Sequence, residues 1–421
     1  MAPLDWPSYD SYQDSGFEWL DAIPAGWIVK RLKHVTRQVS DKVSSADISL
    51  PYIGMENVES WSGRLVEGGS EVEGLAAKFS AGDVIFGKLR PYLAKAAKLE
   101  FPGMCSTEFI VFRTTPGLEP DFLAYLLRSA QFVSFVDSST YGSKMPRANP
   151  SFIANCPVGL PPPQEQRVIA AFLYEKCAKV DEAVRIKEEQ IALLRERRQI
   201  LIQQAVTRGL NPDAPMKDSG IDWIGQIPEH WEQLANKHIF RLKKTLVGKQ
   251  SSEYELLSLT LRGIIKRDME NPEGKFPAEF DTYQEVSPGD FVFCHFDVEE
   301  TPRTVGLSEF FGMITGAYTV YSVASGTDPR FLLHFYICAD TNKKMRSLYK
   351  GLRNTIPKEA FGAFKTPLPP LNEQRAIVAF IDEASLKIEN AIFIKQRQIA
   401  KLKEYKSTLI NAAVTGKIKV A

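Results

Sequence analysis

The chain has 421 residues, of which 44% are hydrophobic, and its 52 Lys and Arg nearly balance its 51 Asp and Glu. This composition excludes wholesale disorder and collagen-like character, and at about 150 residues a domain the length allows two or three domains. Because the net charge is only +1, any surface that binds nucleic acid must be a local basic patch.

The number of cysteines and the N-terminal segment indicate the cellular compartment. Five cysteines without a C-x-x-C pair are too few for a disulfide framework and predict a reducing, cytoplasmic location: Cys105, Cys156, Cys177, Cys294 and Cys338. The N-terminus is polar and acidic, unlike a signal peptide, and no apolar run approaches the length of about 18 residues that spans a membrane. We therefore expect no membrane partner.

Residues 1–160 have the pattern of a mixed α/β domain. Short β-branched or aromatic runs between turn residues predict strands at Val84–Phe86 and Phe109–Phe112. The apolar run Leu123–Leu127 predicts a short buried helix. Residues 161–209 then have the pattern of one long helix, because three prolines open it and no further Pro or Gly occurs before its last residue. About 40 helical residues with a rise of 1.5 Å make a rod of about 60 Å.

Residues 210–366 have the character of a second mixed α/β domain. Phe291–Phe293 and Tyr318–Val323 are predicted strands, and Phe331–Ile337 is a predicted short buried helix. Residues 367–421 again predict a long helix behind a proline-rich entry.

The second half of the chain repeats the first. Residues 164–207 align without gaps on residues 372–415, and about half of the positions are identical, which indicates an internal duplication. DSGFEWLDAIPAGW and DSGIDWIGQIPEHW lie near the starts of the two α/β domains, and GDVIF and GDFVF occupy matching places within them.

Both helical regions carry apolar residues at alternating spacings of four and three, interrupted by a basic residue at the same two places. Such a stripe on so long a helix must be covered, so we predict that the two copies pair as an antiparallel coiled coil. Its predicted seam is Val180, Val184, Ile191, Leu194, Leu201, Ile388, Ile392, Ile399, Leu402 and Leu409. The alternative is that each helix lies separately on its own domain.

Basic segments that contain tyrosine and no acidic residue occur in both α/β domains. Lys and Arg neutralise phosphates, and Arg can also make paired bonds to guanine, so these segments are candidates for binding nucleic acid. An ordinary solvated surface is the alternative for each of them. The candidates are Lys88, Arg90, Tyr92, Lys95, Tyr141, Lys144 and Arg147 in the first domain, and Arg346, Lys350 and Arg353 in the second.

No catalytic constellation is present in the sequence. Residues 82–88 have the spacing of a phosphate-binding P-loop, but Leu89 stands where Ser or Thr should hold magnesium. Cys294, His295 and Asp297 are close in sequence, yet a half-buried strand explains them better than a metal site. We therefore predict a binding protein with no catalytic or metal-ligating residues.

These features together resemble the specificity (S) subunits of type I restriction–modification systems over nearly the whole chain. The resemblance rests on PPPQEQRVIAAF and PPLNEQRAIVAF, on the lead-in segments at 14–27 and 218–231, and on GDVIFGKLRPYLAK in the first domain.

The resemblance implies an α+β fold with an internal pseudo-two-fold repeat. Two mixed α/β target-recognition domains, residues 1–160 and 210–366, would be separated by two long conserved helices, residues 161–209 and 367–421, that form the antiparallel coiled coil. Each domain would read a few base pairs of double-stranded DNA, and the helices would set the gap between half-sites and dock two methyltransferase (M) subunits. Restriction (R) subunits would join through the complex.

The resemblance also implies that this subunit is not an enzyme and binds no cofactor, because S-adenosylmethionine, ATP and Mg belong to its partner subunits. By motif, Lys88, Arg90, Tyr92 and Lys95 carry over as DNA contacts, and Gly142–Arg147 as the loop before a helix. The second domain departs from the pattern, with His295-Phe296-Asp297 in place of Lys88-Leu89-Arg90. Its contacts must therefore lie elsewhere, and to Arg346, Lys350 and Arg353 we add Arg262, Lys266, Arg267 and Arg303.

Because the two domains differ in side chains, the expected DNA target is bipartite and asymmetric. Two other readings remain open from sequence. One is a duplicated coiled-coil scaffold whose α/β domains bind proteins, and the other is a self-contained nuclease or methyltransferase.

Overall fold

The computed structural model describes residues 6–44, 50–68, 74–268 and 280–420. The chain divides into two compact units: unit 1 comprises Met1–Glu188 and Lys395–Ala421, and unit 2 comprises Glu189–Ile394. Each unit therefore combines one α/β domain with a part of each long helix. Among the described residues, no helix combines the length and the apolar character that a membrane crossing requires.

Unit 1 begins with short strands and ends its first segment in a long helix. Its strands are β1 (Tyr12–Asp14), β2 (Ala22–Pro24), β3 (Ile28–Arg31), β4 (Thr36–Val39), β5 (Lys42–Ser44), β6 (Tyr52–Ile53), β7 (Leu75–Phe79), β8 (Val84–Gly87), β9 (Ala96–Lys98), β10 (Gly103–Ser106), β11 (Phe109–Thr114) and β12 (Pro157–Leu160). Its helices are α1 (Pro120–Leu127), α2 (Ala130–Asp137), α3 (Pro150–Asn155) and the first part of α4 (Pro163–Arg208).

Two four-stranded sheets, of order β4-β11-β8-β9 and β5-β7-β10-β6, form the body of unit 1. Successive side chains of a strand point to opposite faces. Val84 and Phe86 of β8 therefore join the large apolar cluster with α1 and α2, while Ile85 between them joins a second cluster with Phe79 and Val111. Burial on both faces explains why this strand reads as an unbroken apolar run.

Unit 2 contains a corresponding set of elements. Its strands are β13 (Met216–Asp218), β14 (Gln226–Pro228), β15 (Glu232–Ala235), β16 (Phe240–Lys243), β17 (Leu257–Thr260), β18 (Gly263–Lys266), β19 (Gln284–Val286), β20 (Phe291–Phe293), β21 (Val305–Leu307), β22 (Gly312–Ile314), β23 (Thr319–Val323) and β24 (Lys365–Leu368). Its helices are α5 (Asn236–Ile239), α6 (Pro329–Asp340), α7 (Lys358–Ala363) and the first part of α8 (Leu371–Val414).

The central sheet of unit 2 has the order β16-β23-β20-β21, which matches β4-β11-β8-β9 of unit 1 strand for strand. The same alternation occurs in it, because Phe291 and Phe293 of β20 enter one apolar cluster and Val292 enters another. The pairs β1-β2 and β12-β3 likewise correspond to β13-β14 and β24-β15. The two α/β domains thus share the framework of their central sheets, whereas the second sheet of unit 1 corresponds in unit 2 to the two-stranded pairs β17-β18 and β19-β22.

The predicted elements are present in the structure. The strands expected at Val84–Phe86, Phe109–Phe112 and Phe291–Phe293 lie within β8, β11 and β20, and the strand expected from Tyr318 begins one residue later. The two expected short helices lie within α1 and α6, and both long helices are confirmed as α4 and α8.

The repeated E-Q-R motif anchors the start of each long helix to its domain. In unit 1, Glu165 accepts hydrogen bonds from Tyr9 Oη and, at 3.1 Å, from Trp27 Nε1. The buried Gln166 accepts from the backbone N–H of Glu119 at 2.8 Å and donates to the carbonyl of Pro161 at 2.8 Å. The sequence alone did not identify these partners of Glu165 and Gln166.

Unit 2 repeats this anchor. Trp231 Nε1 donates to Glu373 at 3.0 Å, and the buried Gln374 accepts from the backbone N–H of Asp328 at 2.8 Å and donates to Pro369 at 2.8 Å. A buried amide must have its hydrogen bonds satisfied, so the glutamine position fixes how the helix leaves the domain. The motif that carried the resemblance is therefore structural.

Within each unit, polar contacts join α4 to α8. In unit 1, Lys406 Nζ pairs with Asp181 at 2.7 Å and Lys187 Nζ donates to Gln398 at 2.8 Å, so the two helix segments run antiparallel. In unit 2, Arg198 Nη1 pairs with Glu389 at 2.9 Å. These basic residues are among those that interrupt the apolar stripe, and each reaches a polar group on the other helix. The predicted seam residues are all buried or half-buried.

Candidate nucleic-acid interface

In unit 1, two segments that are distant in sequence form one surface. Turn 1 (residues 88–90) follows the buried strand β8, and hairpin 1 (residues 141–147), which precedes α3, is closed by an antiparallel bridge between Tyr141 and Arg147. The backbone N–H of Arg90 donates to the carbonyl of Pro146 at 2.7 Å, and that of Ala148 donates to Lys88 at 2.9 Å. The structure therefore brings together the two basic segments that the sequence identified separately.

Several candidate side chains of this surface point into solvent. Arg90 and Lys144 are exposed, Tyr92 and Tyr141 are 43% and 63% exposed, and Lys88 is half-buried. In the described part of the chain, no carboxylate is bound to Lys88, Arg90 or Lys144. Their charges are available to a polyanion.

Lys95 and Arg147 are engaged within the domain. The ammonium of Lys95 donates to the carbonyl of Met55 at 2.5 Å, and burial lowers its pKa. Arg147 pairs with both oxygens of Glu108, at 3.1 and 3.2 Å, and these hydrogen bonds raise its pKa. Lys95 is therefore held within the domain, and the side chain of Arg147, which is 39% exposed, is less accessible to a ligand than the exposed Arg90.

Unit 2 has the same backbone arrangement. Turn 2 (residues 295–297) follows β20, and hairpin 2 (residues 350–355), which precedes α7, is closed by a bridge between Lys350 and Thr355. The N–H of Asp297 donates to the carbonyl of Arg353 at 2.8 Å, and that of Ile356 donates to His295 at 2.8 Å. Asp297 has φ of +45°, in the left-handed region, as Arg90 has with +49°.

The chemistry on this shared framework is different. Arg353 pairs with Asp297 through two hydrogen bonds, and its guanidinium lies 5.6 Å from the ring centroid of Phe296. The same hydrogen bonds lower the pKa of Asp297 and raise that of Arg353. Leu352 beside it is fully exposed, and Lys350 is exposed as well. Turn 2 thus carries a carboxylate where turn 1 carries Arg90.

The remaining candidates of the second domain occupy other positions. Arg346 pairs with Glu299 just before hairpin 2, and Arg303 lies 3.6 Å from the buried carboxylate of Asp340. The other three belong to the β17–β18 region, where Lys266 pairs with Glu255 at 3.6 Å: Arg262, Lys266 and Arg267. The structure therefore gathers Lys350 and Arg353 on one hairpin and places the β17–β18 residues on a separate element.

The sequence did not single out Glu108, Leu352 or the pairing of Asp297 with Arg353. Only the tertiary fold shows these contacts, since Asp297 and Arg353 are 56 residues apart. One signal was available: His295-Phe296-Asp297 replaces the basic turn of the first domain, which marks this turn as chemically different.

Cys294 and His295 face the interior. The thiol of Cys294 is 3.2 Å from the carbonyl of Phe296, and the ring of His295 stacks on Phe293 with centroids 5.5 Å apart. Burial lowers the pKa of His295 to about 4, so this ring is neutral at pH 7. Among the described residues, no group of three His, Cys, Asp or Glu side chains could hold a metal ion.

The two domains therefore each carry a turn and a hairpin in the same arrangement, with basic and aromatic side chains on them. Residues 27–194 match the family described as type I restriction modification DNA specificity domain. The comparisons with known proteins confirm the resemblance to the specificity subunits of type I restriction–modification systems.

Two relatives are similar to this chain in sequence. The putative type I restriction enzyme MjaX specificity subunit of Methanocaldococcus jannaschii is 24% identical over 97% of this chain and 98% of its own length. The type I restriction enzyme EcoDI specificity subunit of Escherichia coli is 27% identical over 36% of this chain and 34% of its own.

Two solved structures are similar in fold. A chain from work on complex assembly and conformational transition of the type I R-M system has a TM-score of 0.67 and 20% identity, over 93% of this chain and 98% of that one. The HsdS subunit from Thermoanaerobacter tengcongensis has a TM-score of 0.52 and 21% identity, over 94% and 98%.

Proposed function

We propose that this chain recognises a bipartite, asymmetric DNA target for a type I restriction–modification complex and performs no chemistry itself. One observation carries the proposal: two copies of a turn-and-hairpin surface share a backbone and differ in side chains. A shared framework suits two related sites on a duplex, and unlike side chains suit different base sequences. Lys88, Arg90 and Lys144 would contact the first half-site, and Lys350 and Arg353 the second.

In this proposal α4 and α8 form an antiparallel coiled coil that spaces the half-sites, in a subunit with a pseudo-two-fold repeat. The support is the antiparallel contact of Asp181 with Lys406 and of Lys187 with Gln398 in unit 1, together with the Arg198–Glu389 pair in unit 2. A rod of about 60 Å is longer than the roughly 34 Å of one duplex turn, so it can separate two major-groove readers.

We place the docking of two methyltransferase subunits on the outer faces of these helices. Several large apolar side chains of the unit 2 segments are exposed outside the seam: Leu193, Ile200, Leu386 and Phe393. Exposed apolar residues at close helical spacing favour a protein partner. The partners would supply S-adenosylmethionine, and restriction subunits would bring ATP and Mg.

Salt dependence tests the proposal. A protein that neutralises six to ten phosphates loses about three to five decades of DNA affinity between 50 and 200 mM salt. We expect such a loss in fluorescence anisotropy with the full chain and a duplex. Affinity that is absent, or insensitive to salt, would instead favour a scaffold whose domains bind proteins.

A further inference from the structure

Hairpin 2 combines three features that hairpin 1 lacks. Arg353 stands at its apex, Asp297 holds the guanidinium of that arginine, and Leu352 beside it projects wholly into solvent. At the apex of hairpin 1 the corresponding segment is Gly142–Pro146, which carries Lys144 as its only charged residue. The two hairpins therefore offer different chemistry at the same place in the fold.

We propose that Arg353 reads a guanine in the half-site bound by the second domain, and that Asp297 is the residue that positions it. This inference rests on the proposed function, because it requires that the domain binds DNA. It goes further by naming the base and the side chain that selects it.

The geometry of the guanidinium supports a base contact. The carboxylate of Asp297 accepts hydrogen bonds from the Nε–H of Arg353, at 2.9 Å, and from one N–H of its Nη2. A guanidinium has five N–H donors, so both hydrogens of Nη1 and the second hydrogen of Nη2 remain at its outer edge. That edge is the fork that pairs with O6 and N7 of guanine in the major groove.

The charge of the pair favours a base over a phosphate. Asp297 and Arg353 together are neutral, so their attraction for a phosphate is small compared with that of a lone arginine such as Arg90. The direction of the remaining N–H bonds is unaffected by this neutralisation. Directional bonds without net charge select among bases and add little to non-specific binding.

The guanidinium of Arg353 is already held in position before DNA binds, which also favours a base contact. Asp297 and the ring of Phe296 restrict the guanidinium, since Arg353 lies 5.6 Å from the ring centroid. A side chain that is already ordered loses less conformational entropy when it binds. Leu352, next to it, can contact the methyl group of a thymine in the same groove.

The alternative is that the Asp297–Arg353 ion pair serves only to connect turn 2 to hairpin 2. The backbone already joins these segments, because the N–H of Asp297 donates to the carbonyl of Arg353 and that of Ile356 donates to His295, each at 2.8 Å. An exposed ion pair adds little to such a connection.

The experiment selects bound duplexes from a randomised library with the full chain, and compares wild type with R353K, D297N and K350A. R353K keeps the charge and loses the fork, so guanine preference at one position of one half-site should fall by about tenfold to a hundredfold. D297N keeps Arg353 but frees it, so the same preference should fall less. K350A should weaken binding and leave the guanine in place.

The results separate the two levels of the proposal. If wild type selects a bipartite sequence but R353K and D297N retain the same guanine, or if no guanine occurs in that half-site, the role of Arg353 is refuted while the proposed function stands. If wild type selects no sequence at all, the proposed function itself fails. Melting temperatures show whether each variant is folded, and D297N remains informative if R353K is not.

Discussion

Arg90 and Asp297 occupy the same backbone position in the two domains, with φ of +49° and +45°, and they carry opposite charges. In unit 1 the arginine of the turn is exposed to solvent. In unit 2 the arginine lies on the hairpin instead and is held by the carboxylate of the turn. The two domains therefore present a guanidinium from different segments, the turn in unit 1 and the hairpin in unit 2.

The variant Arg90→Ala tests the first surface. It removes one exposed cation, so we expect weaker binding to DNA and a salt slope smaller by about 1. Binding to a methyltransferase subunit should be unchanged, because Arg90 lies on the turn after β8 and not on either long helix. R90K is the matched control and should restore most of the salt slope. Loss of subunit assembly would show that Arg90 is structural.

His295 gives a pH-dependent stability. Burial lowers its pKa from 6.5 to about 4. Between pH 6.5 and pH 4, His295 is therefore protonated in the unfolded chain but neutral in the folded chain. The free energy of unfolding is highest above pH 6.5 and falls as the pH drops toward 4.

Between pH 7 and pH 4.5, we expect the free energy of unfolding of unit 2 to fall by roughly 2 to 3 kcal/mol more in wild type than in H295F. Phenylalanine can keep the stacking on Phe293 and has no proton to bind. Urea titrations at several pH values measure the difference, and superimposable curves for the two proteins would contradict the prediction.

At the scale of elements, the long helices carry two distinct apolar surfaces. The seam positions are buried or half-buried, whereas Leu193 is 63% exposed beside the half-buried Leu194. Neighbouring positions on one helix can thus serve different partners, since successive residues are about 100° apart around the axis.

Leu194→Asp and Leu193→Asp form a matched pair. A carboxylate at Leu194 would enter the seam and should destabilise the helices by roughly 2 kcal/mol or more, with loss of complex assembly. The same change at Leu193 should leave the melting temperature unaltered and weaken only the binding of a methyltransferase subunit. Circular dichroism and size-exclusion chromatography separate the two effects. Equal behaviour of the variants would argue against the coiled coil.

At the scale of the whole molecule, the unlike chemistry of the two surfaces predicts the form of the DNA target. We expect methylated adenines to lie within a sequence of two different half-sites separated by a fixed gap when the chain is expressed with its methyltransferase. Sequencing of methylated DNA from such cells measures this. A palindromic or continuous target would refute the assignment of one half-site to each domain.

Much of the architecture followed from local patterns. The two long helices were predictable because proline-rich entries, an absence of interior Pro and Gly and a regular apolar spacing act within a few turns of helix. The strands β8 and β20 were predictable because their apolar runs lie between turn residues. The duplication was visible as repeated letters, and it implied that the two domains share a framework.

The sequence by itself therefore determined the two long helices, several core strands and short helices, the duplication and the approximate location of the basic segments. Only the tertiary structure decided that Gln166 and Gln374 anchor the helices, that Lys95 and Arg147 are used inside the domain, and that Arg353 meets Asp297. These outcomes depend on contacts between residues far apart in the chain, where the burial and direction of each polar group are set by the folded backbone.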